Sequence, residues 1–172
     1  MLGFITRRDY RVMQRANHWD APGWVRFWAR TATRAGDGWI WGLFGLGIFL
    51  LGDEDRFAAL GAGGLAVISS IFAFMCLKQV TGRRRPCDIE PHCWAKLLPP
   101  DKFSFPSGHT MTAFAATTAL SLFYPALLPA LLFCALSIAT SRILLGMHFL
   151  SDVVAGAVIG GGFGYCAFLA FS

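Results

Sequence analysis

Four stretches of the chain, 38–52, 57–77, 110–141 and 153–172, carry no charge, and nearly all charged residues lie between them. A helix that crosses a bilayer needs about 20 apolar residues, with a working range of roughly 17–25, so the second and fourth stretches each suit one crossing. The third is too long for one. Tyr124-Pro125 and Pro129 punctuate its middle, which predicts one helix over 107–123 and another over 126–145. The first stretch, at 15 residues, reaches only about 22 Å at helical rise against a hydrocarbon core of about 30 Å, so it is extended by its neighbours or partly re-entrant. The expected fold is all-α and membrane-integral, a bundle of about five transmembrane helices.

Ahead of these stretches, Arg7, Arg8, Arg11, Arg15, Arg26, Arg30 and Arg34 alternate with Ile5, Val12, Met13, Trp19, Trp24, Phe27 and Trp28. Arginine on one side of a helix and Trp and Phe on the other predict an amphipathic helix lying in the head-group layer over 1–35, with a solvated basic leader as the plainer reading. The order of basic, apolar and small residues that marks a signal peptide is missing, so the N-terminus is expected to stay. Gly36-Asp37-Gly38 then turns the chain into the membrane. At 172 residues the expectation is one domain, 1–172, made of this segment and a membrane-embedded core over 36–172. Composition agrees: 55% of residues are hydrophobic and 15% charged, where a soluble domain has about 25% charged. The net charge of +5 would suggest nucleic acid in a soluble protein, but here the cations sit at the ends of apolar runs. Membrane lipids and phosphorylated substrates are the expected partners and nucleic acid is not.

Three polar clusters at membrane ends stand out, because ionisable residues there are costly and usually serve a purpose. The first is Lys78, then six residues, then Arg85-Pro86. The second is Pro106-Ser107-Gly108-His109. The third is Ser141-Arg142, five residues, His148, three residues, Asp152. Together they resemble, at every fixed position, the tripartite signature of the type 2 phosphatidic acid phosphatase family, membrane lipid phosphatases whose fold is similar to bacterial acid phosphatases and vanadium haloperoxidases. The predicted spans give a separate test. Lys78 to Arg85 follow one span, His109 opens the next, Arg142 to His148 close the one after and Asp152 opens the last, so antiparallel alternation puts them all on one membrane face.

The residue types fit phosphoryl transfer. A phosphate monoester or diphosphate brings about two negative charges, and in-line attack spreads charge over equatorial oxygens that need electrostatic stabilisation. Lys78, Arg85 and Arg142 are the candidate cradle, although each taken singly also reads as a snorkelling anchor. Ser107 and Gly108 stand where a helix begins and its free N–H groups favour an anion; Ser107 also suits an N-cap, and Gly108 permits close backbone approach. The resemblance implies His148 as nucleophile, forming a phosphohistidine, and His109 as general acid. Asp152, four residues on, is expected to accept a hydrogen bond from the other ring nitrogen of His148.

His109, His148 and Asp152 could instead hold a metal, but too few supporting ligands accompany them, and neither metal nor cofactor is expected. In the loop over 83–105, the expected source of head-group selection, Cys87, His92 and Cys93 are open to a disulfide, free thiols or, last, zinc. The expected function is release of phosphate from a lipid phosphate or diphosphate entering laterally between helices. The resemblance implies undecaprenyl diphosphate, phosphatidylglycerol phosphate, phosphatidic acid, lipid A phosphate or a polyprenyl phosphosugar as candidates. A phosphotransferase with the same intermediate and a non-catalytic anionic-lipid binding or transport protein are the rival readings. The expected location is a bacterial inner membrane. The basic N-terminus argues for a cytoplasmic site only if 38–52 crosses, so sidedness, like the oligomeric state, stays open.

Overall fold

A computed structural model describes residues 2–90 and 101–172, with side chains from Arg7 onward. Among these residues the chain forms seven α-helices: α1 (Leu2–Asn17), α2 (Gly23–Ala35), α3 (Trp39–Leu51), α4 (Arg56–Thr81), α5 (Gly108–Phe123), α6 (Leu128–Leu144) and α7 (Leu150–Phe171). The break expected at Tyr124-Pro125 is a short 3₁₀ turn, Pro125–Leu127, between α5 and α6. Proline supplies no N–H and fixes its own φ, so it opens the new helix rather than continuing the old one.

Helix α5 is the core. It lies against α4 and α7 along its length and also contacts α6, and it is buried around most of its circumference through Met111, Ala113, Ala116, Thr117, Ala119 and Leu120. Small residues let the neighbouring backbones close in. A Cβ placed on Gly156, Gly160 or Gly164 of α7 would lie 2.8, 2.1 and 2.5 Å from the carbonyl oxygens of Ser107, Met111 and Ala115. Glycine every fourth residue thus forms a groove along α7 that receives the α5 backbone, the close packing on which helices in lipid rely. Ala62 and Ala66 of α4 pack with Ala115 and Ala119 from the other side.

Among the described residues, three segments are long and apolar enough to cross a membrane: α4, the 3₁₀ turn with α6, and α7. Their outward faces carry exposed Ile68, Phe72, Phe133 and Val158, the covering that lipid rather than water demands. Helix α3 is apolar but has 13 residues, about 20 Å at helical rise. Helix α5, with 16 residues, spans about 24 Å and is sheltered by its neighbours rather than by its own length.

The N-terminal segment differs from the single interfacial helix expected. It is two helices, and both dock on the core. Asp9 of α1 is buried and accepts hydrogen bonds from the backbone N–H and hydroxyl of Ser151, at 2.9 and 2.6 Å. Helix α2 packs Val25 and Ala29 against Leu145 and Met147 while Trp24 and Phe27 stay exposed. Burial of one stripe and a buried carboxylate fix this segment to the protein, which its alternating Arg and Trp did not reveal.

Candidate active site

The chain reverses between α4 and α5 and again between α6 and α7, which brings the polar clusters to one end of the bundle. Helix α4 stops at Gly82, whose φ of 57° is left-handed and whose N–H caps the Lys78 carbonyl at 3.0 Å. Glycine takes that conformation without steric cost. The next three residues turn back, placing Arg85 in the interior with no exposed surface. Between α6 and α7 the carbonyl of Arg142 accepts the N–H groups of Met147 and His148, at 3.0 and 3.2 Å, and Gly146 supplies the positive φ of this turn. The Gly146 carbonyl in turn accepts the N–H of half-buried Cys87 at 3.1 Å, which ties the Arg85 turn to the His148 turn.

Arg85 is the hub. Its Nη1 donates to the Met147 carbonyl at 2.8 Å and meets Nε2 of His148 at 3.2 Å. Its Nε and Nη2 donate to the carbonyl and carboxylate of Asp101, at 2.9 and 2.8 Å. Lys78 donates to the other Asp101 oxygen at 2.6 Å. Burial acts against ionisation of Asp101, but the bonds from Lys78 and Arg85 outweigh it and hold its carboxyl down to about 2. Asp101 therefore occupies one side of the cradle as an internal anion.

The third cation is handled differently. Arg142 is 4% exposed and donates from Nη1 to the hydroxyl of Thr33 on α2 at 2.6 Å. Its Nε and Nη2 are buried with no hydrogen-bond partner among the described residues. Leaving buried donors unpaired costs about 1–3 kcal/mol each, so such an edge in a native fold calls for an explanation. The free edge of a guanidinium fork matches two oxygens of a phosphoryl group.

His148 is buried, and its Nδ1–H donates to the carbonyl of Ser104 at 2.6 Å. The lone pair is thereby left on Nε2, where it accepts from Arg85. Burial, then the charges of Arg142, Arg85 and Lys78, keep this imidazole well below its ordinary value of 6.5, hence neutral. The expected bond to Asp152 is not made: its nearest oxygen lies 3.7 Å from Nδ1. Asp152 is turned to other partners. One oxygen accepts the Phe149 N–H at the start of α7, at 2.8 Å, and the other accepts from Arg83 at 2.8 Å. A carboxylate at the third position of a helix satisfies a free N–H and the helix dipole, and that local geometry wins.

Ser107 stands in front of α5 as expected, but its hydroxyl accepts from Thr110 at 2.9 Å and makes no side-chain cap. Its N–H donates to the Asp152 carbonyl at 3.1 Å, stitching α5 to α7. Gly108 packs against Phe74, whose ring would lie 3.2 Å from an added Cβ. Helix contact, rather than room for a ligand, is the visible reason for that glycine. His109 Nε2 pairs with Asp37 at 2.8 Å.

Asp101, Ser104, Thr33, Asp37 and Arg83 join the site without having stood out in the sequence. Asp37, an acidic residue between two glycines at a membrane end, carried a signal; a backbone carbonyl such as that of Ser104 carries none. His92 and Cys93 lie outside the described residues. Beside the site, a groove of about 1240 Å³ opens between α1, the end of α4 and α7. Arg83 and Arg84 stand at its polar end and Val154 and Val158 along its apolar wall.

One buried helix is thus ringed by membrane-type helices, with cations and imidazoles gathered at its end. The model of the PAP2 superfamily matches residues 59–172, and the chain belongs to that superfamily. It is 35% identical over 101 residues to a lipid A 1-phosphatase of Rhizobium etli, covering 56% of this chain and 43% of that protein. It is 32% identical over 110 residues to a lipid A 1-phosphatase of Rhizobium johnstonii, covering 62% and 45%. The match thus spans less than half the length of these relatives. Among solved structures, Aquifex aeolicus LpxE superposes with a TM-score of 0.74 at 27% identity, over 93% of this chain and 94% of that one. The first transmembrane PAP2 type phosphatidylglycerolphosphate phosphatase from Bacillus subtilis gives 0.73 at 23%, over 95% and 84%, and speaks to the fold alone.

Proposed function

We propose that this chain is an integral membrane lipid phosphatase working through a phosphohistidine. The observation that carries the reading is the unpartnered, buried edge of Arg142 in a site that also holds a neutral imidazole with its lone pair on Nε2. In the proposed reaction that lone pair attacks phosphorus while the bond to the lipid oxygen breaks, and His109 protonates the leaving oxygen. His109 then takes a proton from water, which attacks the phosphohistidine, releases inorganic phosphate and returns the lone pair to Nε2. Arg142, Lys78 and Arg85 stabilise the equatorial oxygens, with the first turn of α5 at Ser107 and Gly108 adding its N–H groups. This chemistry needs no metal.

Helices α3 to α7 would then be the five membrane segments, in a bacterial inner membrane, with the exposed Trp24 and Phe27 of α2 in the head-group layer. The groove beside α7 suits a lipid that keeps its tail in the bilayer while its phosphate reaches the site. Since the relatives above 30% identity are lipid A 1-phosphatases, the 1-phosphate of lipid A is the first substrate to test. Phosphatidylglycerol phosphate, phosphatidic acid, undecaprenyl diphosphate and a polyprenyl phosphosugar follow.

The test is phosphate release from that panel by the purified protein in detergent, with His148→Ala as blank and vanadate and chelator arms. The reading requires release from at least one lipid, inhibition by vanadate, indifference to chelator and silence from the blank. Phosphate release by His148→Ala at the wild-type rate overturns the nucleophile; no release from any lipid overturns the function.

A further inference from the structure

The end of α2 forms a wall of the site that lies outside residues 59–172, the part matched by the superfamily. Thr33 holds Arg142, and about one helical turn further on the chain meets His109. Gly36 is pressed so close that a Cβ there would lie 2.9 Å from Cδ2 of His109, and the next residue, Asp37, meets Nε2 of the same ring at 2.8 Å. A side chain larger than hydrogen at position 36 would push the turn, and with it the carboxylate, off the imidazole.

We propose that Asp37 is a positioning residue for His109, a reading that rests on the function proposed above. Its carboxylate accepts the Nε2–H of the ring, which fixes one tautomer of the resting neutral form and leaves Nδ1 as the working atom: Nδ1 takes up a proton from solvent to form the imidazolium, passes it to the leaving oxygen, and then takes one from the attacking water. The charged groups that act on this imidazole are Asp37 from the α2–α3 turn, Arg142 from α6 and Lys78 from α4. Asp37 is the one anion among them. Both cations belong to the phosphate cradle, so without Asp37 the ring would face only positive charge and lose the one acceptor that sets its tautomer. Asp37 is largely exposed, its side chain at 64%, so replacing it empties no core.

The experiment pairs turnover with a direct view of the ring. The chain has four histidines, so ¹⁵N-histidine labelling in detergent gives a small set of imidazole signals, and that of His109 is assigned by its loss in His109→Gln. In the wild type its Nε2 carries the proton and Nδ1 does not. Asp37→Ala is expected to average or invert this pattern and to lower kcat by about 10–100-fold with KM within about threefold. Asp37→Glu, which keeps a carboxylate on an exposed turn, restores the Nε2–H signal and most of the turnover. An Asp37→Ala protein with the wild-type imidazole pattern overturns the proposal, whatever its turnover, as does a large rise in KM at unchanged kcat. If the wild type releases no phosphate from any lipid, the functional reading falls while the ¹⁵N pattern still decides whether Asp37 sets the ring.

Discussion

Replacing Gly160 by alanine tests whether the glycine groove of α7 sets the geometry of the site. The added Cβ would lie 2.1 Å from the Met111 carbonyl oxygen and 2.9 Å from its carbon, whereas real Cβ contacts essentially never fall below 3.0 Å. The obstacle is backbone, so no side chain can swing away, and α5 and α7 must separate locally by close to 1 Å. That matters because α5 carries Ser107, Gly108 and His109 at its start while α7 carries Asp152, and Gly156, one turn closer to the site, already touches Ser107. Overpacking of this kind costs about 1–3 kcal/mol of stability, and a misplacement of about 1 Å at a reacting centre costs about 100-fold in rate. Gly160→Ala is therefore expected to lower the unfolding temperature in detergent and to cut phosphate release about 100-fold. Gly162→Ala, with nothing within 4 Å of its added Cβ, should change neither. Wild-type turnover and stability in Gly160→Ala would refute the claim that this stripe fixes the spacing of the two helices.

Other consequences follow from single contacts. Asp101 has a folded carboxyl value of about 2 against an ordinary 3.8, so its ionised form contributes stability that is fully present above pH 3.8 and lost as pH falls through about 2. The stability difference between wild type and Asp101→Asn, followed by unfolding across that range, should be constant at neutral pH and vanish in strong acid; a difference unchanged at pH 2 contradicts the pairing. Because burial keeps His148 neutral well below 6.5, the rate of phosphoenzyme formation should not drop as pH is lowered through about 6.5; a half-loss there would show an exposed, ordinary imidazole. Asp152→Asn should slow turnover about tenfold, or about 1.4 kcal/mol in the barrier, because the Ser104 carbonyl still holds the Nδ1–H tautomer. Inactivity as complete as that of His148→Ala would return that role to Asp152.

What could be read from the chain was what repeats or interrupts a pattern. The helices around Tyr124-Pro125 were legible because proline ends a hydrogen-bond ladder wherever it stands, and the gathering of Lys78, Arg85, His109, Arg142 and His148 followed from their places at alternate ends of apolar runs. Contacts made by tertiary approach were not legible. Thr33 and Asp37 reach Arg142 and His109 across 109 and 72 residues, and no local period announces such a meeting. The partner of His148 differs from the expected one for a physical reason: a spacing of four favours Asp152 as acceptor, yet that carboxylate is drawn to the open N–H of Phe149 and to Arg83. The backbone of Ser104 fills the vacancy. Asp101 hid in a loop rich in proline and lysine, where an acidic residue looks like ordinary surface.

The central claim is that a buried, neutral His148 attacks phosphorus from Nε2 inside a cradle of three cations. Rapid quench of the wild-type protein with a ³²P-labelled substrate lipid, followed by peptide mapping under alkaline conditions that preserve phosphohistidine, tests it most directly. The account predicts an acid-labile, alkali-stable label on His148 that forms and decays within turnover and is absent from His148→Ala. Label on His109, or turnover with no labelled protein at any time, would contradict it.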